Sequence, residues 1–125
     1  MARVVILGAG LGGMAAAYEM RAALGSQHTV TVVNERPDYV FIPSNPWITV
    51  GWRKRSQTSF PIGPALARKG IEFVCQRAAT IDAANNCLTF ENGNTLDYDH
   101  LLITTGPKLA LALLHSGDIA VGKVK

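Results

Sequence analysis

Near the start of the chain, Gly8-Ala9-Gly10-Leu11-Gly12-Gly13 carries the spacing G-x-G-x-x-G with one extra glycine. Such glycines have separate physical tasks. Gly8 permits a tight turn, Gly10 lacks the Cβ that would keep a diphosphate off the backbone, and Gly13 lets a helix close on a strand. A helix opening here turns free N–H groups and its positive dipole end toward phosphate. Leu11 and Gly12, inside the loop, belong to the same candidate site. The other use of such a loop is close packing without any ligand, so the surrounding elements decide.

A diphosphate loop of this kind is completed by an acidic residue closing the next strand, where it takes the ribose hydroxyls. Glu35 is the acidic candidate, 27 residues after Gly8, against a usual spacing of about 20. Asn34 directly follows the expected strand and can bond a hydroxyl without charge, whereas Glu35 can also face solvent beside Arg36. The two stand equally as the ribose contact. Cys75 and Cys87 match neither C-x-x-C nor a zinc spacing. They read as small packed hydrophobes, Cys75 ending a buried strand and Cys87 following a turn. His28, His100 and His115 are scattered, with His100 flanking a strand. No catalytic residue and no metal site is assigned.

The elements that must position the glycine loop are legible. Val4-Val5-Ile6-Leu7 is a β-branched run closed by glycine, a strand buried on both faces as in a parallel sheet. Met14 to Leu24 reads as a helix whose Gly13, Ala17, Met20 and Leu24 face the sheet, and Gly25-Ser26 stops it. Thr29 to Val33 is a second strand, and the three together make a right-handed βαβ unit. Residues 36 to 63, punctuated by Pro37, Pro43, Pro46 and Pro61, lack periodicity, and a connection this long is more often functional than idle. Pro64 to Lys69 suits a short helix before a third strand at Ile71 to Cys75.

The periodicity then changes. Ala78 to Asp82, Cys87 to Glu91 and Thr95 to Tyr98, separated by Asn85-Asn86 and Asn92-Gly93, read as a meander of antiparallel hairpins. Leu101-Leu102-Ile103 returns to a fully buried strand, and Thr105 and Gly106 after it would bring backbone to a cofactor. An ordinary strand-ending glycine is the plainer alternative. The fold class is α/β: a Rossmann-like, mostly parallel sheet with an antiparallel three-stranded meander, one domain over residues 1–125.

Composition bounds the remaining choices. Of 125 residues, 48% are hydrophobic and 17% charged, which excludes a disordered polyelectrolyte. The net charge of +3 comes without a basic stripe, so nucleic acid is not an expected partner. Trp52-Arg53-Lys54-Arg55 reads as a solvated loop rather than a lipid-binding patch. No run nears the roughly 18 apolar residues of a membrane span, and no signal peptide is evident. A cytoplasmic setting and no membrane anchor within this chain are expected.

The chain resembles the sulfide:quinone oxidoreductases, FAD-dependent members of the pyridine nucleotide-disulfide oxidoreductase superfamily. The residues carrying the likeness are Val4 to Gly10, Gly12-Gly13-Met14, Ala16 to Met20, Pro43-Ser44-Asn45-Pro46-Trp47, Gly51-Trp52, Phe60-Pro61-Ile62, Arg68 to Ile71 and Asp99 to Lys108. The Pro-Ser-Asn-Pro-Trp segment is far more specific than the glycine loop. The resemblance implies FAD on the glycine loop, Asn34 and Glu35 near the adenosine ribose, Ile42 and Pro43 along the cofactor, and Ala78 at the adenine end. Thr105, Gly106 and Ala110 complete the implied site. Trp47 and Trp52 would pack on the cofactor or form a satellite core.

In that family sulfide is oxidised through redox cysteines and two electrons pass through FAD to a membrane quinone. Those cysteines lie beyond this chain's last residue, as do a second dinucleotide-like domain and a terminal membrane-docking region. A truncated segment, inactive on sulfide by itself, is therefore expected. A peripheral membrane location belongs to the full-length family. Two other outcomes stay open: a module that takes ADP or NAD without redox chemistry, and a remnant that self-associates through an uncovered sheet edge and Leu109–Leu114.

Overall fold

The computed structural model describes residues 1–107. Its centre is a four-stranded, all-parallel sheet in the order β5-β2-β1-β9. Strand β1 (Arg3–Leu7) and β2 (Thr29–Asn34) are joined through helix α1 (Leu11–Leu24), as the βαβ reading requires. Val4 lies beside Val30 and Ile6 beside Val32, while β1's other edge takes β9 (His100–Ile103), with Leu7 beside Ile103. β5 (Glu72–Cys75) runs along the far side of β2.

The two inner strands are buried on both faces over Val4–Leu7 and Val30–Val33 because each face is covered by a different layer. Successive strand residues point to opposite faces. Ile6, Val30 and Val32 pack with Met14 and Ala17 of α1 and with Ile62 and Leu66 of α3 (Ile62–Ala67). Val5, Leu7 and Val33 pack instead against Leu88, Phe90 and Tyr98. That second cover is the expected meander: β6 (Ala78–Asp82), β7 (Cys87–Phe90) and β8 (Thr95–Asp97), antiparallel in that order. Its turns are fixed by side chains. Asp82 accepts the amides of Ala84 and Asn85, and Asn92 accepts that of Asn94.

The aperiodic stretch 36 to 63 has structure of its own. β3 (Asp38–Val40) and β4 (Ser59–Pro61) pair antiparallel, and Tyr39 lies against Phe60 with ring centroids 4.8 Å apart. Between them come a 3-10 turn at Ile42–Ser44 and the short helix α2 (Asn45–Thr49). Trp47 and Trp52 stack on one another at 5.2 Å and stay exposed, so they form no satellite core. Arg53, Lys54 and Arg55 are solvated as expected.

Other boundaries differ from the sequence reading for identifiable reasons. α1 begins at Leu11, not Met14, because the glycines enter the helix to bring it against β1. β9 is half-buried with Ile103 exposed, not fully buried, because it is a sheet edge among the described residues. Cys75 ends an edge strand too, and is exposed where a packed thiol was expected. Cys87 is half-buried, and burial together with nearby Asp97 pushes its thiol pKa up. Leu109–Leu114, Ala110 and His115 lie outside the described residues.

Candidate functional site

A parallel sheet delivers the carboxyl ends of its strands to one rim. When the order runs outward in both directions from β1, a crevice opens beside β1 at that rim. Here the crevice is a cleft of about 700 Å³, floored by the turn after β1 and walled by the ends of β2 and β9 and the approach to β6. The volume lies in the range of cofactor sites. Gly8, Gly10, Leu11, Gly12, Asn34, Glu35, Ile42, Ala78, Thr105 and Gly106 all line it. Residues drawn from five separate places in the sequence thus meet.

The turn is built as its glycines suggested. Gly8 has φ +107°, a conformation that disfavours side chains, and a Cβ there would press on the Thr104 carbonyl at 2.5 Å. Gly13 does not face the cleft. It is buried behind the turn, where an added Cβ would stand 1.9 Å from the Gly8 carbonyl oxygen. Above Gly10 and Gly12 the reverse holds, since an added Cβ would meet no atom within 4 Å. The backbone there is open to a ligand.

Gly10 caps α1 without a side-chain hydrogen bond, and no acidic residue occupies the first turn. The first N–H groups of a helix have no partner within it. Those of α1 therefore leave a concentration of donors and a positive dipole end at the cleft floor, uncompensated by any carboxylate of that turn. This donor set suits a diphosphate, which brings two negative groups and no hydrogen of its own.

Asn34 and Glu35 are separated by their bonding. Asn34 is the last residue of β2 rather than the residue after it. Its Oδ1 accepts the Ala9 N–H at 3.1 Å and its Nδ2 donates to the Arg36 carbonyl at 2.9 Å. The Glu35 carboxylate lies on the cleft wall, 3.7 Å from the Arg77 guanidinium, which also reaches Glu91 at 3.5 Å. All three are exposed, so this ladder is worth little to folding.

Pro43 does not line the cleft, although Ile42 beside it does. Neither Trp47 nor Trp52 reaches it, which corrects the expectation of cofactor packing. Gln76, Arg77, Thr104 and Pro107 line the cleft but were not read from the sequence. The available signal was positional, because residues 76 and 77 follow a strand parallel to β2 and so must emerge at the same rim. Cys75, Cys87, His28 and His100 remain outside. His28 accepts the Ala2 N–H through Nδ1 at 3.0 Å, and His100 is exposed at the start of β9. No group of three or more potential metal ligands occurs among the described residues. A second, shallower hollow of about 410 Å³ lies at the opposite rim, where Arg21 bonds the Gly25 and His28 carbonyls and so closes the end of α1.

A Rossmann-like sheet with a glycine turn at its switch point and an antiparallel cover defines a dinucleotide-binding unit, and the profile of the pyridine nucleotide-disulphide oxidoreductases matches residues 2–121. The chain belongs to that family. Within it, the chain is similar to the sulfide-quinone reductase of Aquifex aeolicus (strain VF5), 40% identical over 106 residues, 85% of this chain and 24% of that protein. The mitochondrial sulfide:quinone oxidoreductase of Mus musculus is 26% identical over 107 residues, 85% of this chain and 23% of that one. The X-ray structure of the Aquifex aeolicus sulfide:quinone oxidoreductase superposes with TM-score 0.83 at 39% identity, over 87% of this chain and 25% of that one. The chain thus spans about a quarter of the length of these relatives. No helix among the described residues is long and apolar enough to cross a membrane.

Proposed function

We propose that this chain is the FAD-binding segment of a sulfide:quinone oxidoreductase-like flavoprotein and that the cleft beside β1 holds the cofactor. The observation that carries the reading is the open, uncapped start of α1 beneath Gly10 and Gly12. Diphosphate oxygens would take the Gly10 to Gly12 amides. Glu35 would accept the ribose hydroxyls, and backbone at Ala78 would meet the adenine. Ile42 would run along the cofactor, and Thr105 and Gly106 would lead toward the flavin. Ala110, the remaining implied contact, lies outside the described residues. When bound, FAD supplies a two-electron store between a sulfide donor and a quinone acceptor. The residues of this chain supply binding and orientation.

Sulfide turnover is not assigned to the chain alone. Neither Cys75 nor Cys87 lines the cleft, and burial and Asp97 raise the Cys87 thiol pKa, which disfavours the thiolate that sulfur chemistry needs. Titration of the purified chain with FAD, followed by flavin fluorescence and by absorbance bands near about 370 and 450 nm, tests the cofactor reading. Saturable binding is expected. Binding of ADP with no added affinity for FAD would favour a plain nucleotide module instead. Anaerobic sulfide with decylubiquinone should give no quinone reduction above a flavin blank, and clear reduction would refute the inactivity.

A further inference from the structure

We propose that Asn34 and Thr104 are positioning residues for the diphosphate turn, gripping the two ends of one peptide group without touching the ligand. The proposal rests on the dinucleotide reading of the cleft. The peptide in question joins Gly8 to Ala9. Its N–H is bonded by Asn34 Oδ1 at 3.1 Å and its carbonyl oxygen lies 2.9 Å from Thr104 Oγ1. The N–H and C=O of a trans peptide point in opposite directions, and the two side chains come from either side of β1, one from β2 and one from the residue that follows β9.

Thr104 Oγ1 also lies 3.1 Å from the Leu7 carbonyl, but that oxygen already accepts the Thr104 backbone N–H at 2.8 Å. The Gly8 carbonyl is the shorter contact of the hydroxyl, and the Leu7 oxygen has the backbone N–H as a donor besides. Asn34 is in turn held by its Nδ2 bond to the Arg36 carbonyl. Gly8 itself is tied to β2 through its N–H and the Val33 carbonyl at 2.8 Å.

Such a clamp is needed because glycine permits what it should prevent. With φ +107° and no Cβ, Gly8 has no side chain of its own to restrain the following peptide plane. Any rotation there re-aims the amides of Gly10 and the first turn of α1. Two bonds on one plane hold a single orientation before the ligand arrives, and affinity then loses less to ordering. With Oδ1 so committed, the exposed Glu35 carboxylate is the better-placed acceptor for ribose.

The test uses the 125-residue chain with FAD, ADP and adenosine as probes. T104V removes the hydroxyl at constant shape and should weaken FAD and ADP about three- to tenfold, the scale of one net hydrogen bond. Adenosine binding should not change, and T104S should restore the loss. N34A should show the same split between diphosphate ligands and adenosine. In the ligand-free wild type, the Ala9 amide should exchange slowly, a measurement that stands even if T104V does not fold. No binding of FAD or ADP by wild type would overturn the dinucleotide reading and this proposal with it. Wild-type binding with T104V unchanged, with T104S as weak as T104V, with adenosine weakened equally, or with a freely exchanging Ala9 amide would overturn the clamp alone.

Discussion

Gly13 stands so close beneath Gly8 that a methyl group on it would come within 1.9 Å of the Gly8 carbonyl oxygen. That approach sets the distance between α1 and β1, and with it the height of the helix start above the sheet rim. The obstacle is backbone at the core of the turn, which has nowhere to move. G13A should therefore cost at least the upper end of the about 1–3 kcal/mol typical of overpacking. A thermal midpoint equal to wild type would contradict it.

Gly12 gives the opposite sign. Its Cβ position is open, so G12A should leave the ligand-free fold intact or stabilise it by up to about 1 kcal/mol through helix propensity. The same methyl enters the space assigned to the diphosphate, and FAD affinity should fall. Midpoint and affinity measured on one sample separate the two effects.

Glu35 carries the ribose assignment. E35A should lose about tenfold or more in FAD affinity, the scale of a hydrogen bond to a charged group. Folding should hardly change, because its partner Arg77 is exposed. An E35A variant that binds FAD like wild type would move the ribose contact elsewhere.

The meander is expected to be an integral layer rather than an ornament. Leu88 is fully buried against Val5, Leu7 and Val33, so L88A should cost about 2–5 kcal/mol. Urea unfolding with an unchanged midpoint would show that the sheet does not depend on this cover.

Acid should act on one strap in particular. Hydrogen bonds from the Arg3 side chain and amide hold the Asp99 carboxyl below its ordinary value of 3.8, and the Arg3 guanidinium is correspondingly raised. A carboxyl depressed in the folded state stabilises fully above its unfolded pKa, and that contribution disappears as pH falls through the folded value. Wild type should therefore lose more stability than D99N on descending below about pH 4, as thermal midpoints at stepped pH will report. Parallel curves would remove Asp99 from the acid transition.

Much of this arrangement was legible in residue order. The glycine spacing, the β-branched runs on either side of α1 and the alternation of Leu88 and Phe90 specify a βαβ unit followed by a meander, because such patterns are local and periodic. The stretch from Arg36 to Gly63 was opaque for a related reason. β3 and β4 are three residues each and pair across some twenty positions, so neither carries a period long enough to recognise. Cys75 was misjudged because an apolar run does not say whether its strand is inner or edge.

Chain order by itself determined which residues bend, which form the sheet and where an anion would find free amides, since backbone sterics and side-chain period act over a few neighbours. Only the packed sheet decided that Asn34 and Thr104, 70 positions apart, meet on opposite ends of one peptide, and that Arg77 joins Glu35 at the rim. Those pairings depend on strand order and register, which arise from burying two faces at once and are encoded by no short segment.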